Sequence, residues 1–348
     1  MLLIWSSVFA FVCSAIAVLV SVPIIKVMAL KYGYVDLPDS RKVHHQPMVR
    51  LGGIAICIGT LTALLWVNSL NGLNSLSAHS TFEFWVIFWG SFGFFLIGLV
   101  DDLKGLSPLT RLVLQVSVAC LVWWMGVRIE FVTLPSVGLV DIGGLSLPLT
   151  VVWLTGVVNA INWIDGLDGL AAGTSGIAAL TMFVVCLFTG QTAAALFSAA
   201  LMGGLFSFLY YNFNPAQIFM GDGGSYFVGF MVASVSITGL VKSAVATAIL
   251  LPFVILAVPI VDMAAVILMR LRHGKSPFTA DKRHLHHRLL QAGLPHRFTV
   301  LLIYTLALWS GSLAMMVAKV PNALGIIGAT TGLLGCMTWK SWRYLRQS

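Results

Sequence analysis

The chain has 348 residues, of which 59% are apolar and only 9% charged, with a mean hydropathy of +0.96. A soluble domain carries about 25% charged residues, so a water-exposed globule is excluded and a membrane-embedded domain is required. The formal net charge of +8 is not gathered into a compact basic domain with groove-reading elements, which excludes nucleic acid as a partner.

A helix crossing about 30 Å of hydrocarbon needs about 20 apolar residues. In chain order, eleven stretches qualify, near 2–29, 51–69, 83–100, 109–126, 147–162, 171–189, 192–211, 225–241, 243–269, 298–318 and 322–339. The expected fold is therefore all-α, a single polytopic membrane domain over residues 1–348. The first stretch has no basic residue before Lys26 and reads as a retained span rather than a cleaved signal. The ninth is long, and Pro252 and Pro259 are expected to kink it. The five cysteines all fall in apolar stretches without a pairing pattern and read as small buried hydrophobes.

Basic residues fix the expected orientation. With eleven spans, 17 of the 20 lysines and arginines fall on one side, leaving Arg128, Lys242 and Lys319 on the other. The crowded side is expected to be cytoplasmic, with the N-terminus outside and the C-terminus inside. Its loops lie near 31–50, 101–108, 163–170, 212–224 and 270–297.

Eight of the twelve acidic residues, and seven of the eight histidines, sit in those cytoplasmic segments. Carboxylates at span ends are costly beside hydrocarbon unless water, metal or a cation compensates them. Several polar motifs from distant parts of the chain therefore point to one site on the cytoplasmic face. Asp101 and Asp102 close the third span in LIGLVDDLKGLSPLTR; adjacent carboxylates repel and favour a bound cation or a raised pKa on one member. In NAINWIDGLDGLAAG, Asp165 and Asp168 stand three apart, so a helical turn would put both on one face. Gly166 and Gly169 permit close approach, and Asn162 adds a neutral oxygen suited to a hard cation such as Mg2+. In YYNFNPAQIFMGDGGS, Asp222 lies between glycines just before a span, where backbone N–H groups favour anions. The largest polar segment, RLRHGKSPFTADKRHLHHRLLQAG, sets His284, His286 and His287 among Lys282, Arg283 and Arg288. Three neighbouring cations favour phosphate over zinc there. Asp262, within the ninth span, reads as a structural hydrogen-bond partner rather than as part of the site, the alternative for a buried carboxylate there. Gly52 and Gly53 read as helix-packing positions.

Together these segments resemble the polyprenyl-phosphate N-acetylhexosamine-1-phosphate transferase family. The similarity covers nearly the whole chain and keeps the motifs in family order: VDLPDSRKVHHQPMVRLGG, the DD pair, NxxDGxDGL, MGDxGS and HxHH. The GKSPFTADKRHLHHRLL loop is similar to the branch that uses UDP-N-acetylglucosamine, and lacks the PIHHHFE-like loop of the peptidoglycan translocase branch. The resemblance implies transfer of N-acetylglucosamine 1-phosphate to undecaprenyl phosphate, with release of UMP, in the bacterial inner membrane. Such a product starts a lipid-linked glycan of the O-antigen, common-antigen or teichoic-acid type.

By the same resemblance, Asn162 and Asp222 match magnesium ligands, with Mn2+ as a substitute metal. Gly166, Asp168 and Asn212 match positions near the nucleotide, and Asp101 and Asp102 face the lipid phosphate. Arg111 stands where many relatives carry lysine, and the His284–His287 loop closes over the sugar pyrophosphate. Asp101, Asp102, Asp165, Asp168, His284, His286 and His287 are thus the catalytic candidates. Lys42, Lys104, Arg111, Gly166, Asn212, Arg283 and Arg288 are the substrate-binding ones. The expected partners are UDP-N-acetylglucosamine, undecaprenyl phosphate and the bilayer, with a homodimer admitted. Two other classes fit parts of the pattern: a transporter, by span count, and a CDP-alcohol phosphatidyltransferase. The transporter would need charges at the bilayer midplane, and the phosphatidyltransferase an arginine that DGLAAG lacks.

Overall fold

A computed structural model describes residues 2–35, 48–70, 78–134, 138–241, 250–274, 276 and 283–347. The helices follow the apolar runs. They are α1 (Leu2–Lys31), α2 (Gly52–Ser69), α3 (Ala78–Lys104), α4 (Pro108–Trp124), α5 (Ser146–Ile164), α6 (Leu170–Phe188), α7 (Thr192–Asn212), α8 (Gly221–Val235), α9 (Leu250–Ile255), α10 (Ala257–Arg272), α11 (Leu285–Gln291), α12 (His296–Val317) and α13 (Ala323–Gln347). A π-helical stretch, Ser236–Val241, prolongs α8. Among the described residues, eight helices are long and apolar enough to cross a membrane. The other expected spans fall on the shorter α4, on the α9–α10 pair and on α13. The chain is an integral, almost wholly helical, polytopic membrane protein.

Two features depart from the expected architecture. A two-stranded antiparallel hairpin, β1 (Phe131–Leu134) with β2 (Gly138–Asp141), joins α4 to α5, so the fold is not purely helical. Gly138 opens β2 at a left-handed φ of 85°. The ninth stretch is broken rather than merely kinked: Leu256, at φ −97° and ψ 20°, separates α9 from α10. Pro259 falls in the first turn of α10, where its missing N–H costs nothing; residues 243–249 of this stretch lie outside those described.

α8 is the central post. Every residue from Gly223 to Val235 is buried, and α2, α3, α5, α6 and α7 all pack on it. Lipid offers no hydrophobic drive for helix association, so close backbone contact through small residues takes its place. At Gly229 an added methyl would lie 2.7 Å from Val158 Cα of α5, and at Gly53 2.1 Å from the Gly224 nitrogen. The expected packing role of Gly53 is met. The outer helices turn apolar side chains outward, as with Trp5, Val20 and Val27 of α1 and Leu324 of α13.

The opening of α2 is pinned to the segment before α8. Phe219 N–H donates to Val49 O, Gly52 N–H to Phe219 O and Gly53 N–H to Met220 O, at 2.8–2.9 Å. At the same end of the bundle lie the C-terminal ends of α3 and α5 and the start of α4, as the bonds of Asp102 and Asn162 to the start of α8 and of Arg111 to Asp101 show.

Candidate active site

The site forms where these helix ends meet around the first turn of α8. Gly221 takes a left-handed φ of 73°, which turns the chain into α8 and leaves Asp222 pointing outward. A side chain at Gly221 would lie 2.0 Å from Arg50 O and 2.7 Å from Asp102 Oδ2, so the position is closed to any other residue. Asp102, at the end of α3, accepts from the Asp222 and Gly223 N–H groups at 2.9 Å each. It thereby caps α8 with the negative charge that a helix start favours. Asp101 is buried and equally committed. Its Oδ1 accepts from Leu106 N–H at 2.7 Å and its Oδ2 from Arg111 Nη1 at 2.9 Å, with the Tyr226 hydroxyl at 3.5 Å. Arg111 also lies 3.8 Å from Asp222 Oδ2.

Asn162 comes in from the last turn of α5. Its Nδ2 donates to Asp222 Oδ1 at 2.8 Å and to Ser225 Oγ at 2.9 Å. Asp165 follows as the cap residue of α5. Desolvation pushes its pKa up to about 7; Asp222, Asp102 and Asp168 push the same way, and Arg50 opposes them. The connection between α5 and α6 is a turn, not a helix, so Asp165 and Asp168 diverge instead of forming the expected one-face pair. Asp168 Oδ2 accepts from Asn214 Nδ2 at 2.8 Å and Ala216 N–H at 3.0 Å, bracing the chain that leads into α8. Asn212 is also consumed internally: Oδ1 accepts from Gly169 N–H and Nδ2 donates to Ile218 O.

The histidine segment closes on this cluster from the other side. A methyl at Gly166 would lie 2.4 Å from His286 Nε2, so the space that glycine leaves is filled by an imidazole. His286 stacks with His284 at 5.7 Å and a 10° tilt, and meets His287 at 4.3 Å with the rings tilted by 45°. Both ring nitrogens of His286 are buried, with no hydrogen-bond partner among the described residues. Burial and the neighbouring His287 hold its pKa down at about 3, against an ordinary 6.5. The unfolded chain therefore takes up a proton below about pH 6.5 that the folded ring refuses. His286 contributes stability above that pH, and the contribution is lost as pH falls toward 3. Thermal unfolding in detergent should show the wild type losing stability on acidification from neutral pH to about pH 5. His286→Gln should lose less; an equal loss would contradict this.

Of the other candidates, Lys104 and Arg288 are exposed and Arg283 is half-buried, while Lys42 lies outside the described residues. Three contributors escaped the sequence reading. Arg50 offsets the charge of Asp102, Asp165 and Asp222. Ser225 and Tyr226 touch Asn162 and Asp101 from α8, whereas Asp262, expected as a hydrogen-bond partner, holds His284. For Arg50, its place as the last cation before the Gly52–Gly53 pair was an available signal; the others lacked one.

The donor set suits a hard cation. Asp222 and Asn162 present oxygen chemistry, and Asp165, its pKa raised first by burial and then by the charge of Asp222, stands beside them with Arg50 only partly offsetting that charge. Among the described residues no three His, Cys, Asp or Glu side chains form a cage. Mg2+ needs none, because it takes one or two carboxylates and keeps its other positions for water and substrate phosphates.

Comparison with known proteins identifies the family. Residues 84–240 match the model of glycosyl transferase family 4. A Bacillus subtilis protein named "Probable undecaprenyl-phosphate N-acetylglucosaminyl 1-phosphate transferase" is 40% identical over 299 residues, 85% of this chain and 81% of its own. A Mycolicibacterium smegmatis decaprenyl-phosphate N-acetylglucosaminephosphotransferase is 37% identical over 317 residues, covering 85% and 77%. An undecaprenyl-phosphate alpha-N-acetylglucosaminyl 1-phosphate transferase of Salmonella typhimurium is 30% identical over 288 residues, covering 79% and 74%. With its helical membrane fold, its cluster of carboxylates and arginines, and these relatives, the chain belongs to glycosyl transferase family 4.

Proposed function

We propose that this transferase moves N-acetylglucosamine 1-phosphate from UDP-N-acetylglucosamine to undecaprenyl phosphate and releases UMP, at the cytoplasmic face of a bacterial inner membrane. The relatives' names supply the reaction. The observation that carries it is the meeting of Asp222, Asn162, Asp165 and Arg111 at one end of the bundle, where a lipid headgroup and a water-soluble nucleotide can both arrive. UDP-sugars are charged, cytosolic molecules, which favours the cytoplasmic side for that end.

Two anions must be brought together, so electrostatics dominates the problem. Asp222 and Asn162 are the residues that would hold Mg2+, which when bound neutralises the diphosphate and makes UMP a better leaving group. Arg111 supplies fixed positive charge beside Asp222, and Arg50 adds more. An oxygen of the lipid phosphate attacks the β-phosphorus; the new P–O bond forms as the bond to UMP breaks, and UMP leaves with the electron pair. A phosphate with a second pKa near 6 is already largely dianionic at neutral pH, so the attack needs no strong base. Direct attack is further supported by the state of the DD pair: Asp101 is tied to Arg111 and Leu106, and Asp102 to the start of α8. Neither is free to act as a nucleophile without dismantling the site.

The reading is tested by UMP release from purified protein in detergent. Release should require undecaprenyl phosphate, UDP-N-acetylglucosamine and a divalent cation, each in turn. Release without lipid would reduce the activity to nucleotide-sugar hydrolysis. No release with any UDP-acetamido sugar would remove the proposal.

A further inference from the structure

α10 carries one acid away from the carboxylate cluster. Asp262 is buried, ten residues before the helix ends at Arg272, and both its oxygens are used. Oδ2 meets His284 Nδ1 at 2.8 Å, and Oδ1 accepts from Leu285 N–H at 2.7 Å. An ionised carboxylate only accepts hydrogen bonds, so the ring proton of His284 is drawn to Nδ1 and Nε2 is the nitrogen left over. The ring is fixed on its other sides as well. Trp163, from the last turn of α5, meets it edge-on at 5.7 Å, and His286 stacks on it. Arg270, two turns beyond Asp262, lies over the Trp163 ring at 4.9 Å. His286 in turn rests on Gly166, next to Asp165. One helix thus locks the start of the histidine segment in place, through a carboxylate and a cation, against the end of α5 that carries Asn162.

We propose that Asp262 is the positioning residue for His284. It selects the tautomer whose Nε2 faces the substrate, and it clamps the first peptide of α11 so that the imidazole arrives in a fixed orientation. Orienting groups of this kind act through the ring they hold. This role rests on the reading of the histidine segment as part of the transferase site. The ring then accepts a hydrogen bond at Nε2 when neutral, or donates one there to a phosphate oxygen when protonated.

The test uses Asp262→Asn, Asp262→Glu, His284→Gln and the double variant Asp262→Asn/His284→Gln in the full-length protein. Asp262→Asn keeps the shape but can donate to Nδ1, which moves the proton to Nε2. Its kcat for UMP release should fall about 100-fold or more, with KM for the nucleotide sugar nearly unchanged, and Asp262→Glu should recover part of the loss. The double variant should be no slower than His284→Gln alone, since both changes disable one unit. Wild-type turnover by Asp262→Asn, or losses that multiply in the double variant, would overturn the proposal. The tautomer is read without turnover by 15N NMR of histidine-labelled protein, with the His284 signal assigned by its disappearance in His284→Gln. Protonation of Nδ1 in the wild type, altered in Asp262→Asn, is the expected result. A wild-type ring carrying its proton at Nε2 and none at Nδ1 would overturn the positioning role, even if no UMP were released and the proposed reaction itself had failed.

Discussion

Gly98→Ala should nearly abolish UMP release and lower the unfolding temperature in detergent, while Gly93→Ala on the same helix should change neither. A methyl at Gly98 would lie 2.2 Å from the Asp222 carbonyl oxygen and 2.4 Å from its carbon. Those are backbone atoms of α8, so no rotamer change can relieve the contact and the two helices must separate. Overpacking of this kind costs about 1–3 kcal/mol or more. The functional loss is larger, because the separation moves Asp101 and Asp102 away from Asp222. A displacement of about 1 Å in a positioned site costs on the order of 100-fold in rate. At Gly93 the methyl would meet the Val118 side chain, at 3.5 Å from Cγ1 and 3.9 Å from Cγ2, ordinary contacts. Equal tolerance at the two glycines would mean that α3 and α8 do not set the site's geometry.

Asp222→Ala should cost at least about 1,000-fold in kcat/KM. Three partners meet on this one side chain: Asn162 at Oδ1, Arg111 at Oδ2, and the electrostatic pull of Arg50. Without it, Arg111 keeps Asp101, but Asn162 loses its only carboxylate and the cation loses its charged ligand. The fold should persist, because Asp222 is the one residue of the first α8 turn that is not buried, and the Asp102 cap needs only the backbone N–H. Unfolding temperature and detergent chromatography should therefore match the wild type while UMP release disappears. A variant that keeps a tenth of the activity or more would remove Asp222 from the centre of the mechanism.

Hydropathy made the helices legible, because a run of about 20 apolar residues has few other structural outcomes. It was silent on β1–β2, whose four-residue strands fall between two spans. It also missed the break at Leu256, where two prolines allowed either a bend or a new start. Motif placement at span ends made the site's members legible, since acids at helix ends need a reason to be there. Their roles were less so. Asp102 bonds to residues 120 positions away, and Asp262 to a histidine 22 positions on; no local period encodes such pairs. The glycines of the DGLDG turn signalled close approach, but not that His286 would be what approaches Gly166. Asn212 and Asp168 read as nucleotide-side groups, yet each is bonded to the loop and turn that carry the chain into α8.

The central claim is transfer of a sugar together with its phosphate. It is tested most directly with UDP-N-acetylglucosamine carrying tritium in the sugar and 32P at the β-phosphate, incubated with purified protein, undecaprenyl phosphate and Mg2+. Both labels should enter the lipid phase in equal proportion while unlabelled UMP appears in the aqueous phase. Tritium entering the lipid without 32P, with UDP as the released nucleotide, would contradict the account.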